Sequence, residues 1–187
     1  MKALAALAII LAISGCIQGS TADSEGDYHV HTDFRVYLEE KMVDFNKAEY
    51  MSTEYKEIDP FVHLHDFHPG VIHFESRNAD LNEFFSSIGM KFNSECFNDG
   101  TNEYCSNASE KLGMYVNGKE NSGFGAYKPS DLDKILIYYG SGEPTQEMFN
   151  SITNEACIYS EKCPIPEGFD YEPENCSASQ PCVLPGT

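Results

Sequence analysis

The chain has 187 residues, with 12 basic against 30 acidic side chains and a formal charge of −18. A surface that negative repels nucleic-acid phosphates and anionic headgroups, which makes nucleic acid a poor partner; the charge serves solubility first and attracts cations second. Its 41% hydrophobic content, with 12 Phe and 11 Tyr, is enough for a real core, and the length suits one domain with a small appendage.

Lys2 is followed by an unbroken apolar run over residues 3–13. That run falls short of the ~20 residues of a membrane-spanning helix but fits the hydrophobic region of a secretory signal. The sequence Ile13-Ser14-Gly15-Cys16 comes next. It resembles the lipobox of bacterial and archaeal lipoproteins, in which the cysteine thiol is lipidated and becomes the new N-terminus. The expectation is a signal peptide over 1–15, lipidation at Cys16 and a Gly/Ser/Thr-rich tether over 16–27. The protein would then be exported and held on the outer face of the cell membrane. The alternative is an ordinary cleaved signal that happens to end beside a cysteine.

Residues 28–38 alternate with period two, placing His29, His31, Asp33 and Arg35 on one face and Val30, Phe34, Val36 and Leu38 on the other. Residues 41–45 are expected to return as a hairpin partner, while 46–60 carry no clear signal. Residues 61–66 form the next strand, with Val62 and Leu64 opposed to His63 and His65. Phe67-His68-Pro69-Gly70 has turn chemistry, and 71–75 runs back to complete a hairpin. Asp80 is an N-cap, with Glu83 three residues on, for a helix whose apolar stripe is Leu81, Phe84, Phe85 and Ile88 and whose stop is Gly89. Residues 96–105 read as a polar loop. Residues 111–116 are a strand entering an Asn117-Gly118 turn, 134–139 are a buried strand, and 146–156 are a helix.

This order predicts an α+β fold, a mixed sheet of hairpins packed on one helix. It is similar to the β-grasp plan of ubiquitin-like and sulfur-carrier proteins, and the 131–137 run Asp-Leu-Asp-Lys-Ile-Leu-Ile resembles the last strand of that plan. A sulfur carrier needs a free Gly-Gly tail, whereas this chain continues well past Gly140-Ser141-Gly142. A composition change near residue 143 separates a His-rich domain (28–142) from a helix with a Cys/Pro-rich, disulfide-stapled appendage (143–187). Besides Cys16 there are six cysteines, Cys96, Cys105, Cys157, Cys163, Cys176 and Cys182. An even count in an exported chain reads as a disulfide framework, and the spacings suggest neighbour pairs among the 15 possible connectivities. The sequence contains no CxxC motif.

All six histidines, His29, His31, His63, His65, His68 and His73, fall within residues 29–73. Positions i and i+2 of a strand share a face, so 29/31 and 63/65 are same-face pairs. A hairpin symmetric about His68 sets His73 opposite His63. Cross-strand imidazoles at ~5 Å can converge on one ion. The candidate metal ligands are therefore His29, His31, His63, His65 and His73. Asp33, Asp66 and Glu75 are candidates to orient them or to take a ligand position. Imidazole donors in an oxidising compartment point to Zn(II) or Cu(II). There is no HExxH, no GxSxG and no glycine-rich phosphate loop, so no catalytic residue is assigned.

Three segments with the histidine motifs, His29-Val-His31-Thr-Asp-Phe-Arg-Val-Tyr37, His63-Leu-His65-Asp66 and Gly70-Val-Ile-His73, together with the Leu81–Met90 segment, resemble a family of membrane-attached His-rich proteins of archaea and actinobacteria. Members share HxHxxF and G-[LV]-I-H-x-H patterns, and Glu75 stands here in place of the last His. The segment from Ala156 to Cys163 is similar to tails of archaeal members. The resemblance covers roughly residues 28–165 and implies a shared scaffold but no activity. The expected function is an extracytoplasmic metal-binding lipoprotein for capture, buffering or delivery. The alternatives are a surface module that contacts a protein partner through pH-sensitive histidines, and a metal-dependent hydrolase. Asn107-Ala-Ser109 and Asn175-Cys-Ser177 match the N-glycosylation pattern.

Overall fold

A computed structural model describes residues 28–53, 56–65 and 68–171. The expected signal and tether, Cys16, Asp66, Asn175, Cys176 and Cys182 lie outside the described residues.

The elements follow the alternation of the sequence. β1 (Val30–Leu38) turns through Glu39 and Glu40, both at positive φ, into β2 (Lys41–Met42), a return shorter than the sequence suggested. β3 (Met51–Ser52) leads on to β4 (Val62–His65) and β5 (Val71–Phe74). α1 (Leu81–Ser87) starts where the Asp80 carboxylate accepts from Glu83 N–H at 2.9 Å, and the chain leaves it through Gly89 at φ 79°. β6 (Lys91–Phe92), β7 (Cys96–Asn98) and β8 (Glu103–Cys105) form a small second sheet. β9 (Lys111–Val116) passes through Asn117 and Gly118, both at positive φ, into β10 (Lys119–Glu120). β11 (Lys134–Gly140), α2 (Gln146–Asn150) and α3 (Ala156–Tyr159) follow.

The main sheet runs β10-β9-β11-β1-β5-β4-β3, with β2 on the end of β1. β11 lies parallel to β1, and β9 and β5 flank that pair antiparallel. The fold is thus a mixed α+β sheet, and its four central strands follow the β-grasp order, with the first and last strands paired in parallel. One face carries Phe34, Val36, Leu64, Ile72, Phe74, Met114 and Ile135, all fully buried against Phe84 and Phe85 of α1. Two segments depart from the sequence reading. The expected 96–105 loop is a hairpin in which Cys96 pairs with Cys105 and is bonded to it, because Phe97 alternates inward and is fully buried. The expected helix over 146–156 breaks into α2 and α3, because Asp33 captures the chain between them. Thr153 Oγ1 donates to Asp33 Oδ1 at 2.5 Å, and Glu155 N–H donates to the same oxygen at 2.9 Å. A carboxylate that satisfies N–H groups from outside the helix competes directly with the helix's own ladder.

The second sheet face carries the odd positions of β1, β4 and β5. α2 and α3 pack across it, through Met148 on Leu136 and Tyr138 and through Ala156 and Tyr159 on Val71. This cover turns what reads as a polar, solvent-facing side of the strands into an interior.

Candidate metal centre

Strand register builds the site. In β1, β5 and β4, three neighbouring strands, His31 pairs with His73 and His73 pairs with His63. His29 and His65 stand two residues along from His31 and His63, on the same face. The result is a continuous row of rings. Centroids are 4.4 Å apart for His29 and His31, 4.7 Å for His31 and His73, and 4.0 Å for His73 and His65. His31, His63, His65 and His73 are all buried, His73 completely so.

His29, His31 and His73 converge. Each offers a ring nitrogen, and the three atoms lie within 4.8 Å of one another. Nitrogens at about 2.0–2.1 Å from one ion would sit roughly 3.3–3.5 Å apart, so small ring rotations bring this set into coordination. His63 and His65 flank His73, at centroid distances of 5.9 and 4.0 Å, and extend the row beyond the three. His68 is elsewhere. Its Nε2–H donates to the Asp170 carbonyl at 3.0 Å and its ring packs on Phe169, so it ties the 68–70 turn to the C-terminal segment.

Orienting partners are in place for two of the rings. Ser160 Oγ–H donates to Asp131 Oδ1 at 2.5 Å, so Ser160 Oγ accepts in turn from His31 Nδ1–H at 2.8 Å. That places the ring proton on Nδ1 and the lone pair on Nε2, the tautomer in which an imidazole can act as a metal ligand. His63 Nδ1–H donates to the Asp59 carbonyl at 2.9 Å, with the same consequence. Asp131 also accepts from His31 N–H at 3.0 Å and from Lys162 Nζ. Burial alone would raise its pKa, but the bonds from Lys162, Ser160 and the His31 N–H outweigh that and hold the carboxyl below its ordinary range.

The candidate carboxylates divide. Glu75 is 1% exposed, and its Oε1 lies 2.9 Å from His29 Nε2 without hydrogen-bond alignment. Neither Glu75 oxygen accepts a hydrogen bond among the described residues. A carboxylate buried in that state is costly unless a proton or a cation balances it. Asp33 is engaged by the C-terminal segment. It holds the start of α3, accepting from Thr153, Glu155 and Ala156. The sequence reading had assigned no role to Tyr159, Ser160, Asp131 or Lys162. The Tyr159 ring roofs the row, edge-on to His73 at 4.9 Å. A cavity of about 280 Å³ opens beside His29 and His31 under Tyr159, Ser160 and Lys162. The only hint in the sequence was the 156–163 motif, which carried no chemistry of its own.

The described cysteines are paired as Cys96–Cys105 and Cys157–Cys163, so among the described residues no thiolate is available as a ligand. Met51 is buried in the core on the opposite sheet face, and Met42 is exposed. The donors at the centre are therefore nitrogen and oxygen. No described helix is long and apolar enough to cross a membrane.

No family model, no curated protein and no solved structure matches the chain. The resemblance to membrane-attached His-rich proteins rests on the quoted motifs alone.

Proposed function

We propose that this protein is an exported lipoprotein, anchored through Cys16 on the outer face of the cell membrane, that binds one Zn(II) or Cu(II) ion for capture, buffering or delivery. The observation that carries the metal reading is the convergence of nitrogens from His31 and His73, buried on adjacent strands, with that of the half-buried His29 just before β1. Imidazole and carboxylate donors without thiolate or thioether suit both Zn(II) and Cu(II). The charge of −18 raises the local concentration of cations. The anchor and export reading is supported by the 3–13 apolar run, Cys16 and the two disulfides. Burial of the imidazoles under α3 favours metal binding over a surface module in which histidines contact a protein partner.

Titration of purified, chelator-treated protein with Zn(II) or Cu(II) is expected to saturate at about one ion per chain with micromolar or tighter affinity. At 100 times the dissociation constant the ion adds about 2.7 kcal/mol to stability, visible as a rise in melting temperature. An absence of both saturation and thermal shift at ~100 µM metal, a concentration well above such a dissociation constant, would reject the proposal.

A further inference from the structure

Much of the wall of the metal-side cavity facing the imidazoles comes from one short piece of chain, with Asp131 and Tyr171 completing it. Tyr159, Ser160, Glu161 and Lys162 all line it, and all lie inside the ring closed by the Cys157–Cys163 bond. This ring provides the His31 orienting hydroxyl through Ser160, the roof over His73 through Tyr159 and the latch to Asp131 through Lys162. Its own secondary structure is slight. α3 is a four-residue helix, far below the length at which a helix holds itself. Glu161 sits at φ 54°, a left-handed conformation that a non-glycine residue adopts at a cost. Lys162 N–H and Cys163 N–H both turn back to the Cys157 carbonyl, at 2.8 and 3.1 Å. The cross-link is what makes this compact turn the favoured state of the segment, because it removes the open conformations that would compete with it.

We propose that the Cys157–Cys163 ring is a redox-set clasp on the metal centre, so that the ion is held durably only by the oxidised protein. The inference rests on the metal reading above and gives it a form of regulation. Closure is a thiol–disulfide exchange with an incoming disulfide, of a protein oxidant or a small molecule. The Cys157 and Cys163 thiols give up two protons and two electrons, their sulfurs join, and the incoming disulfide leaves as two thiols. The metal keeps its oxidation state. Before oxidation, Ser160 is not held against His31 and the cavity wall is loose, so ions exchange quickly. After oxidation the wall is fixed and exchange slows. Durable loading is thereby confined to the oxidising side of the membrane.

The test is the rate at which metal-loaded full-length protein passes Zn(II) to an excess of a chromogenic chelator. The Cys157→Ser/Cys163→Ser variant is expected to transfer the ion on the order of 10–100-fold faster, the range associated with losing an orienting partner. It should still bind about one ion at saturation. Should that variant fail to fold, two further measurements decide. Reduction of the loaded parent by a phosphine should speed transfer to a similar degree. Ser160→Ala and Lys162→Ala, which keep the disulfide, should each speed it as well, and Ser160→Thr should restore the parent rate. Transfer within twofold of the oxidised parent in the reduced protein and in the folded variants overturns the clasp. A parent that retains no ion overturns the metal reading instead, so the two failures are distinct.

Discussion

His73→Ala is expected to lower metal affinity by more than ~100-fold, beyond the 10–100-fold typical of losing an orienting partner. His73 is the residue that joins the two halves of the row. It sits on β5, between β1 and β4, in register with both His31 and His63. It is completely buried and belongs to the converging trio. Its removal leaves His31 on β1 and His29 just before it, which offer two nitrogens instead of three. It also removes the ring that separates that pair from His65. His68→Ala is the matched control, because His68 holds Asp170 and packs on Phe169 at the other side of Tyr159. Competition against a chelator of known affinity measures both variants. Equal losses for His73→Ala and His68→Ala would mean that the converging trio is not the binding site.

Asp33→Ala should cost about 3 kcal/mol of stability, because it leaves several buried donors without a charged acceptor. Asp33 is 1% exposed and accepts from Thr153 Oγ1, Glu155 N–H and Ala156 N–H. These bonds fix where α3 begins, and α3 carries Tyr159 over the imidazoles. The same variant should therefore also bind metal more weakly. Urea unfolding checks the first effect as a fall in midpoint at unchanged slope. Asp33→Asn retains one acceptor oxygen and should recover part of the loss. A midpoint unchanged by Asp33→Ala would show that α3 is held by its apolar contacts alone.

Much of the framework was legible because period-two alternation survives in the strands. Val30, Phe34 and Val36 against His29 and His31, or Val62 and Leu64 against His63 and His65, fix both the strand and its inner face. The turn at Pro69-Gly70 then sets the His63–His73 register. Asp80 and Gly89 likewise mark the ends of α1. The cover over the second face was not legible, for a physical reason. Alternating polar residues read as a wet face, and the segment that dries it lies some 120 positions later in sequence. Its docking depends on one carboxylate, Asp33, whose three acceptor bonds have no sequence signature. The same long-range contact broke the expected 146–156 helix in two. The Asp131–Ser160–His31 relay was out of reach in the same way, since it joins residues from β1, the 130s turn and the disulfide ring. Phe97 shows a subtler miss. A single apolar residue in a polar stretch was enough to seat the 96–105 hairpin in the core.

The most direct measurement is X-ray absorption at the metal edge of the protein loaded with one equivalent of Zn(II). The three imidazoles of His29, His31 and His73 should give a nitrogen-dominated shell at about 2.0–2.1 Å with the outer scattering of histidine rings. That outer scattering should be lost in His29→Ala/His31→Ala/His73→Ala. A sulfur shell at about 2.3 Å, an oxygen-only shell, or a spectrum unchanged by the triple substitution would contradict it.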